Sequence, residues 1–139
     1  MTGRIVLAGM AAGLLAACSA GATPAGDDMA APSQAGVLTI EAGALATRID
    51  AGEPIQLIDV RTPEEFAEGH LAGAINVPLD GFDPASLPDT EGAQRVLYCR
   101  SDRRSGIAAE QLAAANGGTV VHLEGGIVGW EAMDLPVQR

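Results

Sequence analysis

The sequence predicts an α/β domain, a five-stranded and mainly parallel sheet with helices on both faces. Three observations lead there. Short β-branched runs alternate along residues 37–139 with stretches of helical spacing, the pattern of strands joined by crossover helices. The joints carry helix-start and helix-stop chemistry, notably Thr62-Pro63-Glu64-Glu65 and Gly117-Gly118. Finally, the apolar run RVLYC (95–99) ends on a cysteine that opens a cationic loop, and α/β sheets bind ligands beyond such strand ends.

In order, residues 37–40 form a short apolar run suited to a strand. Residues 41–50 set Leu45, Ala46 and Ile49 at helical spacing, and Gly52 ends that helix. Residues 55–60 (IQLIDV) are a strand by β-branched content. A capping box follows, with Thr62 as N-cap, Pro63 in the first helical position and Glu65 three residues on; the short helix carries Phe66 and stops at Gly69. Residues 74–79 (AINVPL) are a third strand, 81–92 a loop rich in Pro, Gly and Asp, and 95–99 a fourth strand. Residues 105–116 are a helix with Ile107, Ala108, Leu112 and Ala115 on one side. A fifth strand (TVVHL, 119–123) and a short helix at 129–134 complete the domain.

The preceding residues differ in composition. Arg4 is followed by an apolar or Gly run over 5–17, too short for a membrane-spanning helix of about 20 residues but suited to the core of a signal peptide. It ends Leu15-Ala16-Ala17-Cys18, which resembles the lipobox of bacterial lipoproteins. That resemblance implies cleavage of a signal peptide (1–17), lipidation of Cys18 and export to the periplasmic side of a bacterial membrane. The outer membrane is favoured, because Ser19 stands where some bacteria use Asp to retain lipoproteins on the inner one. More than one acyl chain would make the attachment stable. Residues 19–36 are rich in Ala, Gly, Ser, Pro and Asp with no aromatic and are expected to form a tether reaching roughly 20–25 Å. The folded domain is then 37–139, behind a lipidated Cys and tether at 18–36.

With 18 acids against 8 basic residues, the formal charge is −10. That balance excludes a phosphate-binding surface for nucleic acid. Against this background Arg100, Arg103 and Arg104 fall within five consecutive residues. The stretch Cys99-Arg100-Ser101-Asp102-Arg103-Arg104-Ser105 runs from strand into helix, so loop amides and the helix's positive end are expected near one point. Such surroundings favour a thiolate, the nucleophilic form, and an anionic substrate. The alternative is an inert core thiol.

Four segments then resemble the rhodanese family: residues 59–66 (DVRTPEEF), residues 69–78 (GHLAGAINVP), the Cys99 loop, and residues 123–130 (LEGGIVGW). The resemblance covers the folded part and implies a rhodanese-like fold. It also implies a sulfurtransferase in which Cys99 takes sulfane sulfur from thiosulfate or a persulfide donor and passes it to a thiol or cyanide-like acceptor. Related phosphatases resemble a cysteine, five residues and then an arginine; here the sixth residue after Cys99 is Ser105. One departure stands out. Many single-domain relatives have Gly where this chain has Asp102. Asp tolerates left-handed backbone angles better than most residues, but its carboxylate would offset part of the loop's positive field and weaken thiosulfate binding.

The predicted site is therefore Cys99 as nucleophile, with Arg100, Ser101, Asp102, Arg103, Arg104, Ser105 and Arg61 around the substrate. Arg61 and Asp59 sit at the end of the second strand, where an ion pair is the alternative role. His70 fits a structural part, His122 a packing or surface part. Gly125, Gly126, Gly129 and Trp130 suggest a turn and a packing anchor. Two isolated histidines and one free cysteine make no metal site, and no cofactor is implied. A catalytically weak, rhodanese-like binding module tethered to a membrane is the alternative function.

Overall fold

The computed structural model describes residues 36–139. The expected signal segment, Cys18 and the tether up to residue 35 lie outside the described residues. The elements are β1 (Gly36–Ile40), α1 (Ala42–Asp50), β2 (Ile55–Asp59), α2 (Pro63–Glu68), β3 (Ile75–Asn76), a 3-10 turn at Pro84–Ser86, β4 (Gln94–Tyr98), α3 (Arg103–Asn116), β5 (Thr119–Leu123) and α4 (Gly126–Ala132). The strands lie side by side in the order β1-β5-β4-β2-β3, and each pairing is parallel.

Each face of the sheet has its own core. On one face Leu57, Val96, Tyr98, Val121 and Leu123 pack with Ala42 and Leu45 of α1 and Ile127 and Trp130 of α4. On the other, Ile58, Leu97 and Val120 pack with Ala108, Ala109, Leu112 and Ala113 of α3, and Cys99 lies among them. Val96, Leu97 and Tyr98 of β4 are completely buried; a central strand covered on both faces reads as a continuous apolar run for that reason. Each fully buried Leu or Ile contributes about 1.5–3 kcal/mol relative to exposure.

The capping box is present as predicted. Thr62 Oγ1 accepts from the Glu65 amide at 3.3 Å, and a Glu65 carboxylate oxygen accepts from the Thr62 amide at 3.1 Å. Several boundaries differ from the sequence expectation by a residue or more, and four of these bear on the site. The third strand is only Ile75–Asn76, although the Val77 and Leu79 amides still donate to Asp59 and Val60 carbonyls; Pro78 between them has no N–H to continue a ladder. Cys99 falls one residue past β4. Helix α3 begins at Arg103 rather than 105, and its buried residues are Ser105, Ala108, Ala109, Leu112 and Ala113. Ile107 is 38% exposed and Ala115 is exposed, because small alanines at 109 and 113 let the helix approach the sheet on an adjacent face. Helix α4 begins at Gly126, three residues early, for a reason that lies in the Cys99 loop.

Candidate active site

Cys99 follows the last residue of β4, and the loop Arg100–Asp102 leads directly into α3. The backbone of this loop is held from α4. The Ile127 amide donates to the Cys99 carbonyl at 2.9 Å and the Val128 amide to the Arg100 carbonyl at 3.1 Å. These are first-turn amides that a helix leaves without internal partners, so the loop caps α4 and α4 fixes the loop. Gly126 has φ +56°, and a Cβ there would stand 2.3 Å from the Ser101 carbonyl oxygen and 2.4 Å from that of Cys99. Only glycine permits this approach. Gly125 and Gly126 are thus the seat of the loop, a role beyond the turn that their sequence suggests.

The Cys99 side chain is 1% exposed and points to the α3 side of the sheet. Its Sγ lies 3.5 Å from Ser105 Oγ. Ser105 is completely buried in the first turns of α3, and its hydroxyl also reaches the Asp102 carbonyl at 3.1 Å and His122 Nδ1 at 3.2 Å. His122 is 7% exposed. Sequence reasoning assigned it a packing or surface part rather than a site role; its alternation with Val120 in β5 is the available signal, since both residues turn toward α3.

Asp102 does not use a left-handed backbone: its φ is −125° and its ψ −28°. Its carboxylate instead accepts from the Gly125 amide at 2.7 Å, a second tie between the loop and the turn before α4. The expectation of a left-handed residue at this position is therefore corrected. A short acceptor at 102 anchors the loop in an ordinary conformation.

The three arginines of the loop and the start of α3 are not equivalent. Arg104 makes a two-pronged bond to Glu65, at 2.6 and 2.8 Å. The Arg104 guanidinium, ahead of burial and the other contacts, holds the Glu65 carboxyl down at about 2. The same hydrogen bond raises the Arg104 pKa. Among the described residues Arg100 and Arg103 form no ion pair, and both are exposed. Free positive charge at the loop thus comes from these two, and Arg104 fastens α3 to α2. Ser101 is exposed beside them.

Arg61 is 5% exposed. Its Nε and Nη2 bind the Asp59 carboxylate at 2.7–3.0 Å, and Nη2 also donates to the Gly69 carbonyl at 2.6 Å. Burial opposes its charge, but the hydrogen bond and the Asp59 charge outweigh burial and raise its pKa. Asn76 donates to the carbonyls of Asp59 and Arg61. This cluster braces the end of β2 as an ion pair does, yet Arg61 also lines a cleft of about 380 Å³ beside the loop. Glu65, Glu68, Arg100, Val128 and Glu131 share its walls; Cys99 does not. Tyr98, fully buried, accepts from the Leu71 amide at 3.1 Å. Burial, then the Asp59 charge, push its phenol far above the ordinary range, so it stays protonated.

His70 takes the structural part expected of it. Its ring stacks on Phe66 with centroids 3.8 Å apart, its Nδ1 lies 2.9 Å from the Phe66 carbonyl, and its backbone pairs with Gln138.

The chain is similar to several known proteins. It is 41% identical over 87 residues to the uncharacterized protein slr1261 of Synechocystis, covering 63% of this chain but only 49% of that protein. It is 33% identical over 98 residues to a sulfurtransferase of Allochromatium vinosum, covering 70% of this chain and 92% of the relative. Among solved structures, a rhodanese-related protein of Thermoplasma volcanium superposes with a TM-score of 0.63 at 29% identity, over 73% of this chain and 97% of the other. The model of the rhodanese-like domain matches residues 41–133, from the start of α1 to just past α4, the span that contains both the Cys99 loop and its glycine seat. This chain belongs to the rhodanese-like domain family.

Proposed function

We propose that the protein is a sulfurtransferase whose sulfur carrier is Cys99. The observation that carries this reading is the position of that thiol. It stands at the carboxyl end of a central strand, on a loop seated by α4 and opening into α3, with a hydroxyl within reach of its sulfur. In the reaction the Cys99 thiolate attacks the outer sulfur of thiosulfate. A new S–S bond forms, the S–S bond of thiosulfate breaks, and sulfite departs with the bonding pair. The persulfide then gives its outer sulfur to an acceptor such as cyanide, whose carbon forms the C–S bond as Cys99 leaves as thiolate. Arg100 and Arg103 draw the anionic donor toward the loop, and the mixed-charge cleft beside Arg100 offers room for an acceptor.

Ser105 in the sixth position after Cys99 supports sulfur over phosphate as the group transferred. Sulfurtransferases among the relatives at about one third identity favour the same chemistry. The proposal includes a lipid anchor at Cys18 on the periplasmic side of a bacterial membrane, supported by the apolar run and the Leu-Ala-Ala-Cys box; a Cys18→Ala variant recovered from the soluble fraction of cells would agree with it, and membrane retention of that variant would refute it.

Thiosulfate-to-cyanide transfer and intact mass after donor treatment test the chemistry. Wild type should gain 32 Da, about one sulfur atom on the thiol, and Cys99→Ser should gain nothing and turn over at background. A wild-type protein that never gains sulfur at Cys99 would overturn the proposal.

A further inference from the structure

We infer that His122 is a positioning residue for the Cys99 sulfur, acting through the Ser105 hydroxyl; the inference rests on the sulfur-transfer reading of Cys99. The three side chains form a buried file from three elements. Cys99 directly follows β4, Ser105 lies in α3 and His122 in β5, with exposures of 1%, 0% and 7%. The separations are 3.5 Å from Sγ to Oγ and 3.2 Å from Oγ to Nδ1. A histidine in an α3–sheet interface of Leu97, Val120 and alanines costs stability unless its ring is hydrogen-bonded. Its partner is the hydroxyl that, among the described residues, touches the nucleophile.

The Ser105 hydroxyl has one proton and three polar neighbours, the third being the Asp102 carbonyl at 3.1 Å. With that proton on the carbonyl, Oγ offers only lone pairs to Cys99 and His122. With it turned to an unprotonated Nδ1, Oγ accepts from the thiol and Sγ–H···Oγ–H···Nδ1 is a continuous donor–acceptor path. Proton movement along it breaks the S–H bond and the original O–H bond and forms a new O–H bond and an N–H bond. The electron pair stays on sulfur, leaving a thiolate, an imidazolium and an intact serine, with no oxidant or reductant consumed. The Nδ1–H then donates to Oγ, which frees the serine proton to face the sulfur anion.

Nothing else that titrates is hydrogen-bonded to the file among the described residues. The strands beside β5 place Thr39 and Leu97 opposite His122, and neither titrates. From α3, Ser105 bonds the ring, and Gly106 leaves open the place where a Cβ would stand 3.9 Å from Cε1. The charged residues of the packed elements and their flanks are Arg95 on β4, Glu41 after β1, Glu124 after β5, Arg100 and Asp102 in the loop, and Arg103, Arg104 and Glu110 on α3. Of these, Arg104 is bound to Glu65 and the Asp102 carboxylate to the Gly125 amide.

The test is the pH profile of Cys99 alkylation by iodoacetamide in the full chain, read by mass on the Cys99 peptide, with thermal melting as the fold control. His122→Phe and Ser105→Ala should each move the profile up by about one pH unit, roughly a tenfold slower reaction at pH 7. The double variant should be no slower than either single one, since both cut the same path. In folded wild type, blocking Cys99 with iodoacetamide should change the NMR titration midpoint of the His122 ring, because the coupling is reciprocal. That measurement needs no variant to fold. Superimposable alkylation profiles in folded variants, or a His122 titration indifferent to the block, would overturn the inference. Alkylation requires no sulfur donor, so a protein that shows the pH effect but gains no sulfur sinks the sulfurtransferase proposal alone.

Discussion

Replacing Gly126 with alanine should damage the loop more than the fold. The added methyl would lie 2.3 and 2.4 Å from two loop carbonyl oxygens, where an ordinary contact begins near 3.4 Å, so the backbone around Cys99 and Ser101 must recede by about 1 Å. Left-handed alanine costs about 1–2 kcal/mol, and crowding against backbone another 1–3 kcal/mol. A 1 Å retreat also stretches the bonds from Ile127 and Val128 at 2.9 and 3.1 Å, worth about 1 kcal/mol each. Together these come to about 4–7 kcal/mol, a large part of the 5–15 kcal/mol typical of a domain. The folded fraction should transfer sulfur about a hundredfold more slowly, the usual effect of a 1 Å misplacement. Gly52→Ala is the control: its φ is +75° with nothing within 4 Å, so it should cost only about 1–2 kcal/mol and leave turnover intact. Urea unfolding and thiosulfate:cyanide transfer on both variants read the two quantities. Equal stability losses, with full turnover in Gly126→Ala, would refute the idea that this glycine seats the loop.

Two further outcomes follow from the site. Glu65 is held at about 2 against an ordinary 4.5, so its contribution is complete above pH 4.5 and is lost as pH falls toward 2. The pair is about 30% exposed, which discounts the contribution to about 1 kcal/mol; acid unfolding of Glu65→Gln, compared with wild type, should show a correspondingly smaller fall across that window, and parallel curves would contradict the pairing. Asp102→Gly removes the acceptor of the Gly125 amide and should cost about 1 kcal/mol in urea unfolding, while lowering the KM for thiosulfate at low salt as the loop becomes more positive. A variant of unchanged stability would deny the anchor; an unchanged KM would deny that Asp102 weakens anion binding.

The parts of this protein that rest on local chemistry were legible in the sequence. The capping box at Thr62–Glu65, the apolar β4 leading up to Cys99 and the glycine stop after Asn116 each depend on neighbours a few residues away. The parts that were not legible depend on distant partners. Helix α4 starts at Gly126 because carbonyls of residues 99 and 100 cap it, and no signal near 126 announces them. Arg104 looked like free charge until the fold brought Glu65 to it from 39 residues away. His122 acquired its neighbours only from the strand order, which sets β5 between β1 and β4 beneath α3.

The two bonds from α4 also determine what the loop shows on its other side. A trans peptide sets its N–H opposite its C=O. With the carbonyls of Cys99 and Arg100 turned to α4, the N–H groups of Arg100 and Ser101 aim the opposite way, away from that helix. An anion arriving there meets hydrogen-bond donors and none of the oxygens of these two peptides. Through two hydrogen bonds the helix end thereby polarises the loop, giving these two peptides a side of oxygen toward α4 and a side of hydrogen away from it.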